Sequence, residues 1–226
     1  MLLEVCAYNI QSCIIAEKSG AGRIELCADP AAGGTTPSIG LIAYALEHVA
    51  IPIFPMIRPR GGNFAYDKHE LEIMRRDIMA CKDAGCKGIA TGIHKPGLTI
   101  DTENLKRLVE WAYPMQVTCH KVFDRTTDAY LALEEVIATG CSRILTSGLG
   151  KTAIDGMGVL AQLIEQAAGR ITIMPGGGVR ATNIAQLVSG TGAIEYHSSG
   201  IITADGNYMA DEGEVRMMVR GMNNYS

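Results

Sequence analysis

Two short segments of this chain set an acid and a thiol two residues apart: Leu3-Glu4-Val5-Cys6 and Ile24-Glu25-Leu26-Cys27. Successive side chains of a strand point to opposite faces, so Glu4 shares a face with Cys6 and Glu25 shares one with Cys27. Leu3, Val5, Ile24 and Leu26 take the other face. Between the two tetrads lie a helix-compatible stretch, Gln11 to Ser19, and then Gly20-Ala21-Gly22. This is a strand–helix–strand unit, whose strands run parallel at about 4.8 Å. Two carboxylates and two thiols are then expected side by side, paired at equal heights. Thiolates select soft ions such as Cu(I), and Cys6 and Cys27 suit a near-linear bridge between two strands. They lack the further ligands of a closed zinc site. The other reading of both cysteines is that they are small core side chains.

Further candidates recur where strand-like runs end. Arg58-Pro59-Arg60-Gly61-Gly62 closes a run in which Arg58 is in phase with Phe54 and Met56. An Arg fork there either binds a carboxylate or phosphate or neutralises Glu4, Glu25 or Glu195. His120 and His197 stand at strand tips in phase with Thr118 and Glu195, as general acid/base groups or metal ligands. Gly176-Gly177-Gly178 leads towards a helix near Arg180 and lets backbone N–H groups approach an anion, with Ser198 and Ser199 completing the site. A glycine turn needed only for chain geometry is the alternative. His48, His69 and His94 fall outside this ring and are expected in solvent.

The elements that must position these groups alternate along the whole chain. Strand-like runs lie at 2–6, 23–27, 52–58, 88–92, 115–120, 142–147, 171–175 and 193–197. Helix-like stretches lie near 10–19, 38–48, 67–84, 102–112, 127–138, 153–167, 180–188 and 212–221. Gly20, Gly85, Gly140, Gly169 and Gly190 mark expected helix exits. Eight such units predict a single (β/α)8 barrel domain over residues 1–226, with an open doubly wound sheet as the alternative topology. In a barrel, chemistry gathers at the carboxyl ends of the strands, where these polar residues fall.

Composition sets outer limits. At 226 residues, 47% hydrophobic and 19% charged, the chain has the make-up of a folded globular protein. A net charge of −4 with no basic block argues against nucleic acid as a partner. No apolar run approaches the ~18 residues that cross a membrane, and no secretion signal opens the chain, so a cytoplasmic protein is expected. Seven cysteines, an odd number, fit thiols kept reduced.

Several of these motifs together resemble one family. Glu4-Val5-Cys6, Arg23-Ile24-Glu25-Leu26-Cys27, Gly33-Gly34-Thr35-Thr36-Pro37-Ser38, Ile57-Arg58-Pro59-Arg60-Gly61-Gly62, Leu145-Thr146-Ser147-Gly148 and Met174-Pro175-Gly176-Gly177-Gly178 are similar to those of the CutC family of copper homeostasis proteins. The resemblance implies a (β/α)8 barrel, a cytoplasmic location, a homo-oligomer and a link to copper tolerance. It also implies Cu(I) held by Cys6 and Cys27; the sequence itself indicates no organic cofactor. One motif departs from the family: Lys121 follows His120 where the family usually has Arg, so a bidentate contact is not expected there. Cys119, in phase with Val117, is expected to face the helices. The residues themselves keep a second class open, an enzyme acting on a small phosphorylated or carboxylated metabolite. In that reading Glu4, Glu25, Arg58, His120 and His197 do the chemistry, and Gly176–Gly178 with Ser198 hold the anion. The strand-six tip, Thr146-Ser147-Gly148, has no lysine, which leaves a Schiff-base mechanism from that position unsupported.

Overall fold

Six of the α-helices open on a side chain that satisfies free N–H groups of their first turn: Asn9, Ser38, Asp67, Asp101, Asp128 and Asp211. Asp67 does so reciprocally, since Glu70 returns a bond to the Asp67 N–H at 2.9 Å. Each cap follows a strand and turns the chain back outside it. The computed structural model describes residues 1–202 and 208–223. Its strands are β1 Leu2–Ala7, β2 Arg23–Leu26, β3 Ile53–Pro55, β4 Gly88–Thr91, β5 Gln116–Cys119, β6 Arg143–Thr146, β7 Thr172–Pro175 and β8 Glu195–Ser198. Between and after them run α1 Ile10–Lys18, α2 Ile39–His48, α3 Lys68–Asp83, α4 Thr102–Ala112, α5 Ala129–Thr139, α6 Met157–Ala167, α7 Ile184–Thr191 and α8 Glu212–Asn223.

All strand pairs are parallel, in the orders β3-β2-β1-β8 and β4-β5-β6-β7. Bridges Met56–Ala90 and Gly176–His197 join the two halves on both sides. The strands therefore close into a (β/α)8 barrel, which excludes the open sheet. Outward-facing strand residues such as Leu3, Val5, Ile24, Ile89, Val117 and Ile144 pack on the helices in one continuous apolar layer. Full burial of each such side chain stabilises the fold by about 1.5–3 kcal/mol. Cys119 belongs to this outer layer, whereas Cys6, Cys27, Met56 and Ala90 form a separate cluster inside the barrel mouth. Among the described residues no helix is long and apolar enough to cross a membrane.

The structure departs from the sequence reading at both ends of one helix, α7. α7 begins at Ile184 and not near 180, because Asn183 Oδ1 takes the Arg180 N–H at 2.8 Å in the preceding turn. Gly190 lies inside α7, where a Cβ would come within 2.4 Å of Met157 Sδ, and the left-handed residue that ends the helix is Gly192.

Candidate functional site

β2 alternates Arg23, Glu25 and Cys27 inward with Ile24 and Leu26 outward. Its inner residues meet those of β1 in a staggered register. Cys6 lies opposite Glu25 and Glu4 opposite Arg23. The equal-height pairing expected from the sequence is therefore incorrect, because barrel strands slide along one another as they tilt to close.

The lower layer is ionic. Arg23 Nε donates to Glu4 Oε2 in a very short contact, and Arg23 Nη2 reaches Glu195 Oε2 at 2.5 Å. Arg143 Nε meets the same Glu195 oxygen at 3.0 Å. Both guanidiniums lie over the Phe54 ring, 5.1 and 5.2 Å from its centroid. That ring crosses the barrel only because residue 88 is glycine: a Cβ there would stand 2.3 Å from it. Neutralisation of the buried acids, assigned from the sequence to Arg58 as one option, falls to Arg23 and Arg143. Both had gone unnoticed as site residues, although Arg23 has the same strand phase as Glu25 and Cys27.

Above this layer His197 Nδ1 bonds Glu4 Oε1 at 2.8 Å, and its Nε2 lies 3.8 Å from Glu25 Oε2. Burial would raise the Glu4 carboxyl, but the His197 hydrogen bond and the Arg23 charge hold it at about 2. Burial would lower His197, yet the Glu25 charge, with contacts from Cys6 and Glu4, raises it well above its ordinary range. Glu25 is raised well above the usual carboxylate range by burial first, then by the Cys6 and Glu4 charges, against the opposing His197 charge. Cys6 Sγ and Cys27 Sγ stand 3.8 Å apart, and Glu25 Oε2 is 3.7 Å from Cys27 Sγ. Contact with the Cys27 thiol lowers Cys6 despite burial, aided by His197, while the same contact and burial raise Cys27. The cluster can thus carry one thiolate beside an imidazolium, with a proton on its neighbour.

This donor set fits a soft ion. The nearest ligand atoms of Cys6, Cys27 and Glu25 all lie within 4.8 Å of one another, and Glu25 Oε1 is buried without a hydrogen-bond partner. The sulfurs are closer than the about 4.6 Å spanned by two collinear metal–thiolate bonds of about 2.3 Å. A near-linear bridge therefore requires the thiols to part.

A cavity of about 250 Å³ opens above the thiols. Its walls include Cys6, Glu25, Cys27, Arg58, His120, His197, Gly177, Gly178, Ser198 and Ser199 among the residues singled out from sequence. Glu4 lies beneath it, and Gly176 is taken up by the closing bridge to His197. His120 does not join the thiol–carboxylate cluster; it stands beside Phe64, with ring centroids 4.9 Å apart. Arg60 turns away to Glu70 at the start of α3, at 2.5 Å, and is removed from the cavity. The Ser198 hydroxyl donates to Val179 O at 2.7 Å, and its oxygen already accepts from Gly200 N–H and Arg180 Nη1, both at 3.1 Å. It has nothing left for an anion. His94 is buried, not solvated: its Nδ1 meets Lys95 O at 2.8 Å and its ring packs edge-on to Phe64.

Sequence reasoning missed Tyr8, Phe64, Lys121 and Arg180 as cavity residues. Each follows a strand on its βα loop, a position that in a barrel points to the mouth. Asp124 anchors the loop after β6, accepting the Thr146 hydroxyl at 2.5 Å and the Ser147 N–H at 3.0 Å. The same Asp124 approaches Lys121 Nζ at 3.6 Å.

Comparison with known proteins agrees with this architecture. A sequence model described as the CutC family matches residues 1–202. A family protein CutC from Chromobacterium violaceum is 42% identical over 227 aligned positions, covering 100% of this chain and 91% of that protein. The human copper homeostasis protein cutC homolog is 41% identical, covering 96% of this chain and 79% of that one. The crystal structure of the CutC protein of Streptococcus agalactiae superposes with a TM-score of 0.84 at 35% identity, covering 88% of this chain and 98% of that one. Matched across nearly its full length in sequence and in fold, the chain belongs to the CutC family.

Proposed function

We propose that this protein serves copper homeostasis by binding Cu(I) through Cys6 and Cys27. The observation that carries this reading is the pair of thiols 3.8 Å apart at the floor of an open cavity, one of them favoured as thiolate. Soft sulfur donors prefer Cu(I), and Glu25 stands where it can accept a released proton. His197 and Glu4 hold the charge balance beneath. The test is an anaerobic competition titration against a Cu(I) chelator. Cys6→Ser or Cys27→Ser loses most of the wild-type affinity, and Cys81→Ser, in the outer apolar layer, keeps it. A Cys6→Ser/Cys27→Ser variant that competes as well as wild type overturns the assignment.

A second reading, an enzyme acting on a small phosphorylated or carboxylated metabolite, is favoured by one specific observation. The cavity is larger than an ion requires, and on the side of β7 and β8 it is lined by Lys121, Arg180, Gly177 and Gly178. Gly177 and Gly178 have φ of +100° and +71°, and Lys121 Nζ would lie 2.9 Å from a Cβ at 177. Native mass spectrometry of freshly purified protein tests it: a retained anionic metabolite supports this reading, and copper alone supports the first.

A further inference from the structure

Across the mouth from that glycine loop, two side chains of the cavity wall, Arg58 and His120, each keep one buried donor atom without a hydrogen-bond partner among the described residues. Arg58 is 4% exposed. Its Nη1 donates to Ala32 O at 2.7 Å and Gly34 O at 2.8 Å, and its Nη2 donates to Gly62 O at 2.9 Å. These bonds clamp two loops together and leave Nε buried without a hydrogen-bond partner among the described residues; the Tyr66 hydroxyl, itself unpartnered, interacts with this guanidinium only outside hydrogen-bond geometry. No carboxylate forms an ion pair with Arg58 among the described residues. Buried charges are normally paired, so this guanidinium lacks a counter-ion.

His120 is 3% exposed, and its Nδ1 accepts the Val122 N–H at 3.1 Å. The ring proton of the neutral imidazole therefore sits on Nε2, which is buried and unpartnered. Phe64 joins the two groups, with Arg58 Cζ 4.7 Å from its centroid and the His120 ring at 4.9 Å. All three side chains line the cavity.

We infer that this wall is an oxyanion subsite, in which Arg58 Nε–H and His120 Nε2–H together hold a carboxylate or phosphate group of a small organic ligand, with Phe64 against its carbon skeleton. A neutral carbonyl would satisfy the donors but leave the guanidinium charge uncompensated, and a cation would be repelled. An oxyanion answers both needs, and charge-assisted bonds are the strong ones. The inference deepens the metabolite reading and rests on it for the cavity's admitting a small molecule. It is independent of copper.

The test is NMR of metal-free protein carrying ¹⁵N-labelled arginine, histidine and glycine, titrated separately with inorganic phosphate, acetate and sodium chloride. The Arg58 Nε–H and His120 Nε2–H resonances should move together and saturably with phosphate or acetate, the tighter of the two naming the ligand's head group. The Arg23 and Arg143 Nε–H signals, already engaged by Glu4 and Glu195, should stay still. Arg58→Lys keeps the charge but loses Nε–H, and binding should weaken about tenfold or more. If that variant does not fold, the wild-type titration decides alone. An equal saturable response to chloride overturns the oxyanion assignment. Movement of the Gly177 and Gly178 amides with Arg58 and His120 unmoved overturns this subsite while leaving the metabolite reading standing, and no saturable movement anywhere overturns both.

Discussion

Arg23 holds the ionic layer under the site, and its replacement by methionine is the sharpest test of that layer. The guanidinium is 4% exposed and meets Glu4, which is 1% exposed, and Glu195. Without it Glu195 keeps Arg143 at 3.0 Å, but Glu4 keeps only His197 at 2.8 Å. Removing one partner of a buried ion pair costs about 3–5 kcal/mol, because the remaining charge is stranded. Linkage leads to a similar size: a carboxyl held at about 2 against an ordinary 4.5 contributes about 3 kcal/mol to folding. Its pKa is depressed in the folded state, so this contribution is present above 4.5 and disappears as pH falls through about 2. The expected outcome for Arg23→Met is a loss of about 3 kcal/mol in urea unfolding at neutral pH, and a fall in Tm of about 6–12 °C. The variant should also lose part of the acid-dependent decline seen in wild type. Glu4→Gln combined with Arg23→Met should cost less than the two single changes added, since each removes what strands the other. A variant within about 0.5 kcal/mol of wild type, with its acid profile unchanged, would refute the reasoning.

Two further outcomes follow from the same geometry. Burial, and then the Arg58 charge, push His120 down to about 3, so its ring carbon signals should show no titration between about pH 8 and about pH 5. The unfolded chain takes up that proton first, so His120 contributes most to stability above its ordinary 6.5 and progressively less as pH falls towards 3; an NMR midpoint near 6.5 would contradict this placement. At the end of the loop between β6 and α6, a Cβ on Gly156 would lie 1.8 Å from Ser147 O, whereas one on Gly158, in the first turn of α6, meets nothing within 4 Å. Urea unfolding should show Gly156→Ala losing about 3 kcal/mol or more, and Gly158→Ala gaining up to about 1 kcal/mol; equal stability of the two variants would refute the packing described.

The chain by itself determined what depends on near neighbours. Strand phase is local, so the inward direction of Glu4, Cys6, Glu25, Cys27 and Arg58 follows from alternation with Leu3, Val5, Ile24, Leu26 and Ile57. Helix starts are equally local, because a cap such as Ser38 or Asp67 acts on N–H groups two or three residues away. Eight repeats of strand and helix were enough to expect a barrel, and the barrel in turn puts the strand tips at one mouth. Only the tertiary structure decided which of those groups meet. Closing the sheet slides β2 along β1 and sets Cys6 opposite Glu25, a stagger imposed by the whole ring of strands and by no single pair. The counter-ions of Glu4 and Glu195 come from Arg23 and Arg143, the latter 52 residues from Glu195 in the chain. Ser198 is spent on Val179, and His94 is enclosed by Phe64 from another loop. Hydrogen bonds and ion pairs inside a barrel join residues from distant turns of the chain, so their partners are chosen by closure and not by spacing.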